Sequence, residues 1–404
     1  MSTTSASARA STTIFLDHTT TTPLLPEVLA AMRPYYEERF AVASGLYAAA
    51  RQARKDIEAA RETLAGILGC RPAELVFTSG GTEAANLAVR GVAEASRRRG
   101  DHIITTQIEH RCVLDVCQQL ERQGFRVTYL PVDAAGVVDL DALARALDDR
   151  TILVAVMLAN NEVGTIQPIT EVVRLVKAKS RAIPVYTDAA IAGGVLELNV
   201  EQLGVDLLSL SAHKVYGPRA TGLLYVRRLV PLAPQILGGN QERNRRAGTE
   251  YVAGIVGMAR AFELAYANLA ARRAHLQALT NRLVDGLLAR IPDAVLVGPA
   301  DPAARLPHVA TLCFRHVDGE ALVLQLDAQG IAAASGSACA SATFDPSHVL
   351  RAMGVPKELA HGNLRLGLGL GNTEADIDRA LEIIPRVVAR LRATTPLPSG
   401  RDPA

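Results

Sequence analysis

Polar residues that could do chemistry follow four of the buried strands that the sequence predicts. Residues 78–83 follow the first of these strands, residues 160–162 and Asp188 follow two later ones, and residues 211–214 end a fourth. In an open parallel sheet, ligands bind outside the carboxyl ends of the strands. We therefore expect these clusters to meet in one site.

Each cluster supplies a different functional group. The glycine-rich turn at residues 78–83 opens a helix, whose free amides and the hydroxyl of Thr82 suit a phosphate. For Asp188 taken alone, a cap on the following helix would be the favoured interpretation. Lys214 at a sheet edge is costly unless its charge is paired or its amine reacts covalently. With a second hydroxyl at Ser211, these groups together fit pyridoxal 5'-phosphate, which needs a carboxylate at its pyridinium nitrogen and an amine for a Schiff base.

The elements that must position these groups alternate short β-branched runs with longer helical runs from about Pro26 to Tyr266. This alternation predicts an α/β fold in which helices cover a parallel sheet. The predicted strands are residues 75–78, 102–105, 126–130, 152–158, 185–187, 207–211 and 222–226. The predicted helices between them include residues 83–99 and 114–123.

The pattern changes after a long helical stretch, residues 256–288. Strands at 310–314 and 330–333 flank a helix at 319–327, and a last helix at 373–392 begins with the capping signal of Thr373 and Asp376. We therefore predict two domains with flexible ends. They are a large domain at 26–264, a smaller α+β domain at 13–25 and 265–394, a disordered lead-in at 1–12 and a flexible tail at 395–404.

Eight motifs resemble one family of pyridoxal-phosphate enzymes. They are FTSGGTEAANLA, IEHRCVLD, MLANNEVGTIQP, YTDAA, SLSAHKVYGPR, GGNQERNRRAGTE, ASGSACASA and GNLRLGLG. Over residues 14–391 the chain resembles the class V aminotransferase-type enzymes, in particular the cysteine desulfurases of the NifS/IscS type and the selenocysteine lyases. The resemblance implies a transferase of fold type I, with a mostly parallel seven-stranded sheet in the large domain.

The resemblance also implies how the cofactor is held. Lys214 would form the Schiff base and move protons, Asp188 would hold the pyridinium nitrogen, and His110 would stack on the ring and assist proton transfer. The phosphate would be bound by Gly81, Thr82, Ser211 and His213, and by Thr249 of the partner subunit in a homodimer. Asn161 would contact the cofactor and, with Arg365, hold the carboxylate of the substrate.

Cys339 lies in a loop of small residues, 334–342. In the desulfurases, the cysteine of S-G-S-A-C-x-S-A attacks the sulfur of the bound L-cysteine, takes it as a persulfide and releases alanine. The resemblance implies this catalytic role for Cys339. The reactive species is a thiolate, so the site would have to lower the pKa of this thiol.

Two features depart from the family pattern. Ile191 stands where the family's D-A-x-Q motif has a glutamine that donates to the phenolic oxygen of the cofactor. The N-terminal motifs also differ, because residues 42–45 read VASG and residues 17–22 read DHTTTT.

Four readings follow. The leading one is a homodimeric cysteine desulfurase that passes its sulfur to an acceptor protein, such as an iron–sulfur scaffold, a tRNA-modifying relay or a biosynthetic enzyme. Its rival is a selenocysteine lyase. The others are a non-catalytic scaffold of the same fold and a transaminase or C–S lyase that does not use Cys339.

Composition excludes several classes of protein. A net charge of +2 without a basic stripe argues against nucleic acid as a partner. The sequence has no apolar run of about 20 residues that would span a membrane. Five scattered cysteines without C-x-x-C spacing argue against a metal site or a disulfide framework, and so predict a cytoplasmic protein.

Overall fold

The computed structural model describes residues 13–336 and 346–394. Three predictions lie wholly or mostly outside these residues: the lead-in 1–12, the tail 395–404, and the loop that contains Cys339. The strands are β1 (Ile14–Phe15), β2 (Leu75–Thr78), β3 (His102–Thr106), β4 (Arg126–Leu130), β5 (Thr151–Ala155), β6 (Val185–Asp188), β7 (Leu207–Ser211), β8 (Gly222–Val226), β9 (Ala294–Val297), β10 (Val309–Phe314), β11 (Ile331–Ala332) and β12 (Asn363–Gly367).

Strands β2 to β8 form one seven-stranded sheet in the order β2-β8-β7-β6-β5-β3-β4. Only β8 runs antiparallel to its neighbours, β2 and β7. The residues of β3, β5, β6, β7 and β8 are all buried, as expected when helices cover both faces of a sheet. The predicted fold class, α/β with a mostly parallel seven-stranded sheet, is confirmed.

Helices are present at each of the predicted helical stretches, and the structure adds others. They are α1 (Pro26–Met32), α2 (Pro34–Glu37), α3 (Ala48–Leu68), α4 (Gly81–Ser96), α5 (Arg111–Arg122), α6 (Leu140–Ala146), α7 (Ile169–Lys179), α8 (Val200–Leu203), α9 (Gln241–Asn244), α10 (Val252–Ala267), α11 (Leu269–Arg290), α12 (Gly319–Asp327), α13 (His348–Ala352), α14 (Lys357–Ala360) and α15 (Glu374–Thr394). The single helical stretch predicted at 256–288 is two helices, separated at Asn268 by a non-helical backbone.

One strand prediction was too long. Residues 152–158 were predicted as a strand, whereas β5 ends at Ala155. The amides of Val156 and Leu158 still donate to the carbonyls of Tyr186 and Asp188. The apolar run therefore continues along β6 as extended chain and delivers residues 160–162 to the end of the sheet.

The C-terminal part of the chain builds a second layer. Strands β9, β10 and β12 form an antiparallel sheet; α11 and α12 pack against it, and α15 packs against these two helices. The capping prediction at the start of α15 is confirmed, since Thr373 and Asp376 exchange backbone-to-side-chain hydrogen bonds of 2.9 and 3.2 Å. We propose that this layer, residues 265–394 with 13–25, is a domain distinct from 26–264. Separate hydrophobic clusters around the two sheets support this division.

The N-terminal strand crosses between the layers. β1 pairs in parallel with β11, and Asp17 bridges to Gly367 at the end of β12. This pairing directs residues 17–22 towards the carboxyl end of the large sheet, where Thr22 hydrogen-bonds to the backbone of His213.

Candidate active site

A cavity of about 290 Å³ lies at the carboxyl ends of the parallel strands. Nearly all the predicted site residues that the structure describes line it. They are Gly81, Thr82, His110, Asn161, Asp188, Ser211, His213, Lys214 and Arg365. The prediction that the strand-end clusters meet in one place is therefore confirmed as geometry, while the role of each residue remains a prediction.

Lys214 ends a 3₁₀ turn that directly follows β7. Its Nζ donates to the carbonyl oxygens of Thr19 and Thr20, at 2.7 Å for Thr20. The turn brings the amine into the cavity, where backbone carbonyls solvate it. This is the environment that a lysine needs if it is to remain at a sheet edge.

Asp188 is the last residue of β6 and is buried. Its Oδ1 accepts hydrogen bonds from the amide of Ala190, at 2.9 Å, and from the hydroxyl of Ser209, at 3.1 Å. The carboxylate is thus fixed at the wall of the cavity by a turn on one side and by the neighbouring strand on the other.

His110 caps the N-terminus of α5. Its Nδ1 accepts from the amide of Cys112 at 3.2 Å, and the Cys112 thiol lies 3.0 Å from the same nitrogen. Burial lowers the pKa of His110; the charge on Asp188 opposes this effect, and the charge on Lys214 adds to it. Because an amide can only donate, the ring is neutral with its proton on Nε2.

The start of α4 forms the part of the cavity where the phosphate is predicted to bind. Gly81 approaches the sheet closely, since a Cβ on it would lie 3.5 Å from the Cβ of Ser211. The first-turn amides of a helix lack intrahelical partners and attract anions. His213 is neutral, because burial and the charge on Lys214 lower its pKa to about 4.

Glu83 in the first turn of α4 is held by a cation. Arg246 donates to both of its carboxylate oxygens, at 2.9 and 3.3 Å, and the amide of Ser79 donates at 2.8 Å. Burial alone would raise the pKa of Glu83, but these hydrogen bonds lower it overall. The carboxylate beside the predicted phosphate site is therefore neutralised by Arg246.

Arg365 on β12 reaches the cavity from the second layer and is buried. Its Nη2 donates to Thr20 Oγ1 at 2.9 Å and to Asp17 Oδ1 at 3.3 Å. Its buried Nε has no hydrogen-bond partner among the residues that the structure describes. The guanidinium retains capacity for an anion, as the prediction of a substrate carboxylate requires.

Sequence reasoning gave no role to the N-terminal residues of the site. Thr19 and Thr20 line the cavity, and Asp17 contacts Arg365. The one feature of the sequence that could have indicated such a role is the run of threonines at residues 19–22, which departs from the family motif. Cys112 also lines the cavity, and burial raises the pKa of its thiol, which keeps the sulfur protonated.

Two buried glutamates stand beside the predicted catalytic residues. Glu109 precedes His110, and burial raises its pKa to about 8 although Met157 and Thr106 donate to it. Glu162 follows Asn161, and burial raises its pKa as well, against a hydrogen bond of 2.5 Å from Ser347.

Both glutamates form hydrogen bonds with residues shortly after the segment 337–345, which the structure does not describe. The ring of His348 donates from Nε2 to the carbonyl of Glu109 at 2.9 Å. A Cβ on Gly336 would lie 2.8 Å from Oε2 of Glu162, the same oxygen that accepts from Ser347. Glu162 therefore hydrogen-bonds to Ser347, two residues after the segment, and lies close to Gly336, the residue before it.

Thr249 does not line the cavity of its own chain. It follows α9, where three consecutive residues, Glu242, Arg243 and Asn244, have left-handed backbones. The carboxylate of Glu242 is held by two hydrogen bonds from Arg61, of 2.8 and 2.9 Å. This buried ion pair fixes an unfavourable turn that precedes Thr249.

The chain belongs to the class-V aminotransferase family, whose model matches residues 14–380. Several relatives carry the name cysteine desulfurase IscS. One from Clostridium botulinum is 47% identical over 95% of this chain and 96% of its own length. The one from Methanosarcina thermophila is 48% identical over 95% of this chain and 94% of its own.

A solved structure of a NifS-like protein superposes with a TM-score of 0.88. It is 38% identical and covers 94% of this chain and all of its own. The predicted family and fold are confirmed. The family as a whole depends on pyridoxal 5'-phosphate.

Proposed function

We propose that this protein is a cysteine desulfurase. In the overall reaction, the C–S bond of L-cysteine breaks, alanine is released, and the sulfur atom joins Cys339 to give a persulfide. The thiol hydrogens balance, because one replaces sulfur on the alanine methyl group and the other stays on the terminal sulfur. The observation that carries the proposal is the cavity in which the amine, carboxylate, imidazole and guanidinium of the family motifs meet. The relatives named cysteine desulfurase, which match 95% of the chain, support it.

The cavity fits pyridoxal 5'-phosphate as the cofactor. It offers an amine at Lys214, a carboxylate at Asp188 and a helix N-terminus at Gly81, where no Cβ blocks the approach of a phosphate. When bound, this cofactor withdraws electrons from the Cα of an amino acid attached to it, which weakens the bonds at that carbon.

The residues of the chain supply the remaining chemistry. Lys214 would hold the cofactor through its amine, and the same amine would move a proton at the substrate Cα. His110 would lie against the bound ring and exchange protons through Nε2, since Nδ1 is occupied by the amide of Cys112. Arg365 and Asn161 bind the substrate carboxylate, which orients the sulfur for transfer.

We propose a homodimer in which Thr249 of the partner subunit completes the phosphate site. Within one chain the phosphate would meet Gly81, Thr82, Ser211 and His213, which line the cavity. Thr249 lies outside the cavity of its own chain, a few residues after a turn fixed by Arg61 and Glu242, and this position supports a contribution to another subunit.

We propose that the sulfur then passes from Cys339 to an acceptor protein, such as one that assembles iron–sulfur clusters. A reducing, cytoplasmic location is part of this proposal. It is supported by Cys70, Cys112, Cys117 and Cys313, which are all free thiols. Among the described residues, no helix is long and apolar enough to cross a membrane.

The identity of the substrate is tested by measuring alanine release from L-cysteine and from L-selenocysteine. We expect turnover of L-cysteine, with a persulfide on the protein. Turnover of selenocysteine alone would instead make the protein a selenocysteine lyase. Absence of turnover in a protein that folds and dimerises would favour the scaffold reading.

Ile191 is predicted to limit the rate. It lines the cavity and packs into the hydrophobic cluster around the smaller sheets, so its side chain offers the cofactor no hydrogen bond. Replacing Ile191 by Gln is expected to raise kcat by up to about tenfold, because one hydrogen bond contributes about 0.5 to 1.5 kcal/mol. It should also shift the pH at which the visible absorption band titrates.

Ile166→Gln serves as the control. Ile166 packs against the same hydrophobic cluster but does not line the cavity. An unchanged rate and titration in Ile191→Gln would show that the missing glutamine has no consequence here.

Glu162 is predicted to position the acceptor thiol. Its replacement by Ala leaves the buried hydroxyl of Ser347 without its acceptor and removes the contact beside Gly336. We expect persulfide formation to slow about tenfold while the visible spectrum of the bound cofactor is retained, since an unpaired buried group costs about 1 to 3 kcal/mol.

Glu162→Gln keeps an oxygen that can accept from Ser347 and should lose less of the rate. Stopped-flow spectra would follow the cofactor, and acid-quenched samples would follow the persulfide. If the alanine variant forms persulfide at the wild-type rate, Glu162 has no part in placing Cys339.

A further inference from the structure

The geometry points to Tyr186 and Ser209 as positioning residues that act on the cofactor through Asp188. We propose that they form a directed series of hydrogen bonds that holds the Asp188 carboxylate in one orientation. The inference rests on the proposed function, in which Asp188 binds the pyridinium nitrogen.

The three side chains are brought together by two neighbouring strands. β6 and β7 run parallel, and Asp188 lies opposite Ser209 in their register. Tyr186 stands two residues before Asp188 on the same strand, so both side chains project from the same face. The hydroxyl of Tyr186 lies 2.8 Å from Ser209 Oγ, which lies 3.1 Å from Asp188 Oδ1.

The direction of the series follows from counting protons. A carboxylate can only accept, so the one hydroxyl proton of Ser209 is donated to Asp188. Ser209 Oγ must then accept from Tyr186, whose hydroxyl is the donor. Tyr186 is fully buried, and burial raises its pKa well above the usual value, so it keeps this proton.

These hydrogen bonds distinguish the two oxygens of Asp188. Oδ1 accepts from both Ser209 and the amide of Ala190. These bonds leave Oδ2 as the oxygen for the ligand's nitrogen. Successive hydrogen bonds polarise one another, so the bond from Tyr186 to Ser209 strengthens the bond from Ser209 to Asp188. A carboxylate fixed in this way would present Oδ2 to the nitrogen of the bound ring.

The test measures how tightly the apoprotein binds pyridoxal 5'-phosphate, together with the visible spectrum of the complex. Tyr186→Phe and Ser209→Ala are each expected to weaken binding about three- to tenfold, the range for one lost hydrogen bond. Both should also shift the visible maximum, because the contact between Asp188 and the ring nitrogen changes.

Tyr225→Phe is the matched control. Tyr225 is fully buried in β8 of the same sheet, and its hydroxyl has no hydrogen-bond partner among the described residues. Removing this hydroxyl should leave both the affinity and the spectrum as in the wild type. Melting temperatures of the apoproteins would report any loss of folding.

The double variant tests the order of the series. Because Tyr186 acts through Ser209, adding Tyr186→Phe to Ser209→Ala should weaken binding no further. Should Ser209→Ala fail to fold, the comparison of Tyr186→Phe with Tyr225→Phe decides alone. The proposed series of hydrogen bonds would be overturned if those two variants bound the cofactor equally tightly, or if the double variant lost affinity by the full sum of the two single losses. A wild-type protein that does not bind the cofactor would overturn the proposed function itself, and the series of hydrogen bonds with it.

Discussion

Replacing Lys214 by Ala is expected to abolish alanine formation from cysteine, with a loss of at least about a thousandfold in kcat. The amine is the only group in the proposed mechanism that both binds the cofactor covalently and moves the proton at the substrate Cα. The variant should also lack the visible band that borohydride bleaches in the wild type. Absorption spectra and a coupled alanine assay measure both effects.

Lys179→Ala is the control for this experiment. Lys179 lies at the exposed end of α7 and pairs with Asp149, away from the cavity. Circular dichroism of both variants would confirm that they fold. Retention of the borohydride-sensitive band in Lys214→Ala would mean that another amine carries the cofactor.

Replacing Cys339 by Ala is expected to separate the two halves of the reaction. The cavity that fits the cofactor is formed by other residues, so the yellow colour and the spectral change on adding cysteine should remain. Alanine formation should fall by at least about a thousandfold, because no thiol accepts the sulfur. If the protein were instead a transaminase or a C–S lyase, the variant would turn over cysteine as fast as the wild type.

Cys70→Ala is the matched control. Cys70 follows α3 and is half-buried in a different part of the chain, and burial keeps it protonated by raising the pKa of its thiol to about 12. Turnover of cysteine by the Cys339→Ala variant at the wild-type rate would remove Cys339 from the mechanism.

Strand ends made the site largely predictable from the sequence. Asp188 and Ser211 are the last residues of buried apolar strands, and Lys214 follows one of them in a single short turn. In parallel strands such residues must meet at one edge of the sheet. Local sequence therefore contained most of the geometry, and the family motifs added the individual roles.

The contacts of the site that could not be predicted from the sequence depend on pairings between distant segments. Asp17 and Thr20 reach Arg365 because β1 pairs with β11, more than 300 residues away along the chain. The contact between Glu162 and Ser347 likewise joins the two layers. A threonine run or a lone glutamate has no local pattern that reveals such a contact, since register between strands depends on the packing of the whole sheet.

The buried hydrogen bonds beneath Asp188 were missed for a different reason. Tyr186 and Ser209 read as ordinary strand residues, because tyrosine is favoured in strands and serine is small enough for a crowded interior. Their relation appears only when β6 and β7 are aligned. A polar residue two positions before a strand-end aspartate, with a second polar residue opposite that aspartate on the neighbouring strand, is thus a signal worth seeking in other sheets of this kind.

The proposal that Cys339 accepts the sulfur of L-cysteine is tested most directly by the intact mass of the protein after brief incubation with L-cysteine, without added reductant. Wild-type protein that contains the cofactor should gain the mass of one sulfur atom, and peptide mapping should locate it on Cys339. The Cys339→Ala variant should gain none. Release of alanine without added mass, or sulfur located on Cys112 or another cysteine, would contradict the assignment of Cys339 as the sulfur acceptor.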